Sequence, residues 1–387
     1  MLSNFDRTVN RLGTYSATWD CIARKYGEDI ISLGVAEMEF ETCPDVKKAI
    51  LSAADRGIYS YTEIFPEFGE SCVSWFSRRH RWDFSSKEVL FAPRIIQLTA
   101  AVFNHLFRKA KVATFSPYYA PIIHVIASSG AKLRKVSLRN DNGMSRWCFD
   151  KKKLADAFAD ADVFVLTNPH NPTGRVWTYD ELMEIAKLAE KHDVMLFSDD
   201  IHCDILRSDM KWIPVAGVVA ENNLNVKVIT CVSPAKSFNI AGIETAAAIV
   251  NDKELYKNVA ISLEKTGIFN PNYFALPAAI AAWSSDGIWL NELNRYLSDN
   301  LSYTVERFTG KTSDFTCYVP EATYLLWIAA FDFLKKKNYR EFPGVYNGVS
   351  VSPGKYYGKE WSEYFRLSVG LPRKTLDLAI NRITESL

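Results

Sequence analysis

The stretch VMLFSDDIHCDI, Val194 to Ile205, decides the fold. Val194, Met195, Leu196 and Phe197 run without a polar break into Ser198, Asp199 and Asp200, with His202 two places on. A strand apolar along its whole length is one buried on both faces, the condition of a parallel sheet covered by helices. In such sheets ligands gather at the carboxyl ends of the strands. Asp199 and Asp200 stand where this strand runs out.

Working outward, the same kind of segment recurs. EVLFAPR (88–94), KVATFSP (111–117), KLRKVSL (132–138), DVFVLTNP (162–169), VKVITCVSP (226–234) and TAAAIVND (245–252) are short, apolar and β-rich. Stretches with helical spacing lie between several of them, such as YDELMEIAKLAEKH from Tyr179 to His192. Strands alternating with helices predict an α/β fold with a mainly parallel sheet. The chain has 387 residues, 48% of them hydrophobic and 13% aromatic, enough for a large core in two domains or one large unit. Its 46 basic and 45 acidic residues leave a formal charge of +1. With no long block of like charge, no nucleic-acid or membrane partner is expected, and a small molecule is. MLSNFDRTVNRLG lacks the apolar core of a leader and no run is long enough for a membrane span, so a cytoplasmic location is expected. The seven cysteines are scattered and form no CxxC pair, which indicates neither a disulfide framework nor a zinc site.

Other strands end in equally unusual chemistry. DVFVLTNPHNPTG ends in Asn168, Asn171, Pro172, Thr173 and Gly174, and VKVITCVSPAKSFNIAG ends in Ser233, Lys236, Ser237 and Asn239. The strand ends thus offer an amide, a carboxylate and an amine. An aspartate ionised beside a cationic ring nitrogen, an asparagine donating to a phenolate oxygen and an imine-forming lysine are what a pyridoxal phosphate site requires. Plainer readings stand beside this one. A strand-end Asp is commonly a cap or turn former, Lys236 could be a surface lysine, and Arg366 could pair with Glu363. Asp199, Asp200, His202 and Asp204 could be hard-metal ligands, but alternate residues of one strand face opposite ways, and no metal is expected. His80, His105, His124 and His192 show no pattern, and Cys203 and Cys231 suit small apolar fillers.

NPHNPTG, SDDIH and SPAKSFNIAG, in that order, resemble the signature set of fold type I pyridoxal-phosphate enzymes. NRLGTYSATWD near the start, GVAEMEF, the His of SDDIH and FRLSVGLPR near the end resemble the MalY/PatB-like carbon-sulfur lyases, the cystathionine β-lyase branch of the class I and II aminotransferase superfamily. The resemblance runs from about Asn10 to the C-terminus. It implies a large domain, 44–283, with a seven-stranded mainly parallel sheet and the cofactor, and a smaller α/β domain from 1–43 and 284–387. WLNELNRYLSDNLSYTVERF, from Trp289, has the apolar spacing of the long helix joining them.

Residue by residue, the resemblance makes Lys236 the Schiff-base lysine and the base that removes the substrate's Cα proton. Asp199 would pair with the ring nitrogen, keeping a low pKa beside that cation, Asn171 and His202 would lie at the ring oxygen with Ile201 beside them, and Tyr119 would stack on the ring with a hydroxyl available for proton transfer. The phosphate of pyridoxal 5′-phosphate would meet the N–H groups of Ile95 and Ile96 at a helix start, the hydroxyl of Ser233, and Tyr61 from a partner subunit, which makes the protein a homodimer. Arg366 would clamp the carboxylate of an amino-acid substrate with its two parallel donors, and Asn171 would touch that substrate too.

The implied reaction is β-elimination from cystathionine or another cysteine S-conjugate, giving a thiol, pyruvate and ammonia. Two alternatives stay open: an aminotransferase using the same residues, and a regulatory protein that keeps the fold and the cofactor. The sequence departs from the family pattern in places. Asp200 stands where Glu is usual, and EMEF replaces DMDF. Arg94 and Ala235 stand where small residues and a serine are common, and Glu244 is acidic where many relatives carry a phosphate-binding base. Arg94 is therefore the residue expected to supply the missing positive charge.

Overall fold

The computed structural model describes residues 4–140, 146–311 and 314–384; Met1 to Ser3 of the amino-terminal stretch lie outside them. All seven apolar segments are strands: β1 (Val89–Ala92), β2 (Lys111–Ser116), β3 (Lys132–Ser137), β4 (Val163–Thr167), β5 (Met195–Asp199), β6 (Val228–Val232) and β7 (Ala246–Ile249). They form one sheet in the order β1-β7-β6-β5-β4-β2-β3. The adjacent pairs from β6 across to β3 are parallel, and β7 runs antiparallel to both of its neighbours. The uniform apolar runs are explained by two-sided burial. Phe164 and Leu166 of β4 pack with Leu196 and Val228 on one face, while Val163 and Val165 pack with Phe197 and Ile229 on the other.

Helices cover both faces: α1 (Pro66–His80), α2 (Ile95–His105), α3 (Ala120–Ser128), α4 (Tyr179–His192), the single turn α5 (Pro234–Ser237) and α6 (Ile288–Lys311). α4 shows how closely local chemistry sets its bounds. Thr178 and Glu181 close a reciprocal capping box at its start, and Asp193 ends it in the left-handed conformation. Leu182, Ile185, Ala186 and Ala189 then form the buried stripe. The sequence-predicted long helix from Trp289 is α6, which begins one residue earlier. Beyond it β8 (Leu325–Ala329), β9 (Ser352–Pro353) and β10 (Tyr364–Ser368) make a small antiparallel sheet. No helix among the described residues is long and apolar enough to cross a membrane.

The loop after β4 is locked to this carboxy-terminal region. The Gly174 carbonyl accepts from the Ala322 N–H at 2.8 Å, and Glu321 accepts from the Val176 N–H at 2.7 Å. Gly174 has φ +67°, and a Cβ there would collide with Pro320 and lie 2.8 Å from the Ala322 carbonyl oxygen. The glycine of NPTG is thus required by conformation and by close approach together. Gly174→Ala is expected to cost about 2–4 kcal/mol, read as a lower urea midpoint; a loss under about 0.5 kcal/mol would remove this packing argument.

Candidate active site

The carboxyl ends of β4, β5 and β6 open into a cavity of about 880 Å³. Strand pairing sets Thr167, Asp199 and Cys231 abreast, and adjacent strands are about 5 Å apart. Residues that follow these three positions are therefore delivered to one floor. β4 brings Asn171, β5 brings Asp199, Ile201 and His202, and β6 leads to Ser233 and Lys236. Tyr119 enters at the start of α3, and Ile95 and Ile96 enter in the first turn of α2, where backbone N–H groups have no intrahelical acceptor.

Alternation along one strand sorts the carboxylates. Asp199 faces the cavity, buried, with the Ile201 N–H donating to it at 3.3 Å. Burial pushes Asp199 up to about 6, against the Ile201 N–H and the charge of Lys236. The low carboxylate expected from the sequence is thus not a property of the chain alone. Asp200 points the other way, accepts from the Trp212 indole at 2.9 Å, and is pushed by burial to about 8. Asp204 is buried elsewhere; burial raises its pKa, but His80, Arg79 and Trp75 hold it down. Among the described residues His80, Cys203 and Asp204 have metal-ligand spacing, and that carboxylate already has these three protein partners.

Lys236 reaches the cavity from α5 and donates from Nζ to the Ala36 carbonyl at 2.6 Å. Burial pulls its ammonium down to about 8, helped by the Arg366 charge and opposed by Glu37 and Asp199. Arg366 is buried on β10, donating to Asn171 Oδ1 at 3.0 Å and to the Gly34 carbonyl at 3.0 Å. It is therefore not in a surface ion pair with Glu363. Its Nε has no partner among the described residues, as is true of His202 Nδ1, and the His202 ring lies edge-on to Tyr324 at 5.9 Å. Burial holds His202 neutral and raises the Tyr119 phenol. Ser233 lines the cavity, but its hydroxyl donates to the Thr245 carbonyl at 2.6 Å. Tyr61, 97% exposed, does not line this chain's cavity.

Two of the sequence's departures turn out to be one feature. Arg94 and Glu244 are 150 positions apart and form an ion pair at 2.5 Å, half-exposed beside the first turn of α2. The positive charge expected of Arg94 is thus shared with that carboxylate. The structure also brings in residues without an assigned role. Arg11, Tyr15, Ser16, Ala17 and Glu37 line the cavity, and Asn239 holds the EMEF backbone by donating to the Met38 and Phe40 carbonyls. The only signal for the first five was the presence of NRLGTYSATWD and GVAEMEF among the resembling stretches, whereas Asn239 already stood among the polar residues ending VKVITCVSPAKSFNIAG.

The model of the family described as aminotransferase class I and II matches residues 28–383. The chain is 29% identical to a protein named cystathionine beta-lyase PatB of Bacillus subtilis over 99% of this chain and 100% of that one. It is 28% identical to protein MalY of Escherichia coli over 97% of each. The PLP-bound C-S lyase from Staphylococcus hominis superposes with a TM-score of 0.91 at 27% identity, over 100% of this chain and 98% of that one.

A buried carboxylate with a raised pKa opposes folding. At pH 7 the unfolded chain ionises Asp199 freely, whereas the folded chain ionises it against burial, so its unfavourable contribution is complete above about 6, shrinks as pH falls from there, and vanishes below the ordinary aspartate value of 3.8. Asp199→Asn keeps an acceptor for Ile201 and should stabilise the ligand-free protein by about 3 kcal/mol at pH 7, the gain shrinking as pH falls from 6 to 4. Urea unfolding at pH 7 and pH 4 measures it; equal stabilities at pH 7 would refute the placement of the charge.

Proposed function

We propose that this chain, which belongs to the aminotransferase class I and II family, is a pyridoxal-phosphate-dependent carbon-sulfur β-lyase. It cleaves cystathionine or a related cysteine S-conjugate to a thiol, pyruvate and ammonia. The observation that carries this reading is the convergence of Lys236, Asp199 and Asn171 at one strand-end cavity, with the buried Arg366 bonded directly to Asn171. The names of the most similar relatives, two of them cystathionine or C-S lyases, favour elimination over amino transfer.

The residues fit the cofactor. Asp199 is a buried carboxylate pushed up to about 6 for want of a cation, which a protonated ring nitrogen supplies. His202 Nδ1 is buried with no partner among the described residues and lines the same cavity as Asn171, and the free N–H groups at the start of α2 suit a phosphate. Bound there, pyridoxal phosphate supplies an aldehyde for amines to condense with and a ring that withdraws the electron pair left when Cα loses its proton.

The remaining work falls to the chain. Arg366, already oriented by Asn171 and Gly34, receives the substrate carboxylate with two donors and so fixes the direction of the Cα–H bond. Lys236 Nζ, lowered to about 8, is partly free base near neutral pH and takes that proton. Tyr119 walls the cavity, and its raised phenol stays protonated, able to donate to the departing thiolate.

The active unit is a homodimer. Ile58, Tyr59, Tyr61, Ile64, Phe65 and Phe269 are exposed large hydrophobics, and Thr62 donating to the Pro271 carbonyl and Asn270 donating to the Thr62 carbonyl join the two segments into one patch. Covering it with a second copy brings Tyr61 to a neighbouring cavity.

Two measurements test these statements. The cofactor-loaded protein should release pyruvate and thiol from L-cystathionine in equal amounts, and Lys236→Ala should lower the rate by about 10³-fold or more; keto-acid-dependent amino transfer without pyruvate would install the aminotransferase instead. Mixing Lys236→Ala with Tyr61→Phe at limiting cofactor should restore about a quarter of wild-type activity, because each mixed dimer holds one native site. No recovery would separate Tyr61 from the neighbouring cavity.

A further inference from the structure

One wall of the cavity has been given no contact with substrate or cofactor above, although the Glu37 charge on it acts on Lys236. It is built by Arg11, Tyr15, Ser16, Ala17 and Glu37. Arg11 donates to Glu37 and, at 3.2 Å, to Glu39; Thr18 donates to the second oxygen of Glu37 at 2.8 Å, and the Trp19 indole donates to Glu39 at 2.8 Å. Glu37 and Arg11 meet the cavity, while Glu39 stands behind them with its side chain only 10% exposed. One guanidinium faces two carboxylates. Burial raises the pKa of Glu39, against its bonds to Trp19 and Arg11, and the Arg11 donors are already turned to Glu37, Glu39 and Ser16.

The position of this wall relative to the reacting groups is set by the backbone. The Gly34 carbonyl accepts from Arg366 and the Ala36 carbonyl accepts from Lys236. The next residue is Glu37. Within three residues, a span of at most about 10 Å, the chain passes the carboxylate clamp and the proton acceptor and then presents a negative charge. A substrate held by Arg366 with its Cα at Lys236 has its β-substituent within reach of that wall.

Resting on the β-lyase reading, we propose that Glu37, held by Arg11 and Thr18, is a specificity residue that receives an ammonium at the far end of the leaving group. The enzyme then prefers dipolar conjugates such as cystathionine, whose distal half carries an amine, to conjugates with an uncharged S-alkyl group. Arg11 and Glu39 act as positioning residues: the guanidinium keeps Glu37 from swinging away, and Glu39 keeps Arg11 from neutralising it fully.

The test uses binding, so that it does not depend on which bond the enzyme breaks. L-Lysine and L-norleucine share an α-amino acid head and differ in a distal ammonium, and neither carries a β-leaving group. Their dissociation constants from the holoenzyme are read from the change in cofactor absorbance. The wild type should bind lysine about tenfold more tightly than norleucine. Glu37→Gln should bring the ratio near one by weakening lysine, whereas Glu37→Asp, which keeps the charge, should retain most of the preference. No preference in the wild type, or a parallel loss of both ligands in Glu37→Gln with the ratio intact, overturns the inference. Pyruvate release from cystathionine by the same wild-type preparation reports separately on the β-lyase reading, so the two can fail independently.

Discussion

A carboxylate at the end of a fully buried strand, with no cation of its own, is the constraint on which the site depends. Asp199 ends β5, between β4 and β6, and its neighbours across the sheet are Thr167 and Cys231, neither of which can neutralise it. Lys236 contributes charge from a distance but gives its hydrogen bond to Ala36. The folded chain therefore holds a group that raises its own free energy at neutral pH, a cost that a cationic ligand in the cavity offsets.

The sheet makes that arrangement rigid. Parallel pairing in register from β2 to β6 sends successive strand ends to one edge, and helices on both faces leave the strands no room to shift. The Asp199 and Asp200 pair shows how finely the pleat divides labour. One residue turns toward the cavity and the other toward Trp212, where burial pushes it up to about 8. Two adjacent carboxylates thus have different chemistry for no reason other than the alternation of a strand.

The rest of the cavity comes from chain far from the strands. Arg366 arrives from β10, and the backbone of Gly34 and Ala36 accepts from Arg366 and Lys236 respectively. The amino-terminal segment closes one side through Arg11, Glu37 and Glu39, and the Arg94–Glu244 pair stands beside the first turn of α2. These are side-chain and backbone contacts between segments up to 332 positions apart, and each places a charge where the sheet alone would leave open space.

Apolar runs and their punctuation were enough to determine the seven strands, the helix from Tyr179 to His192 and the strand-end position of Asn171, Asp199 and Lys236. Two-sided burial selects residues locally, and that selection is visible one residue at a time. The reversed direction of β7 was not visible, because an apolar strand reads alike in either direction. Nor was the pairing of Arg94 with Glu244: two departures from a pattern look independent until the fold sets them 2.5 Å apart. The electrostatic state of Asp199 was decided by tertiary structure as well. A pKa depends on what surrounds a group, and burial by strands from distant parts of the chain outweighs the residues next to it in sequence.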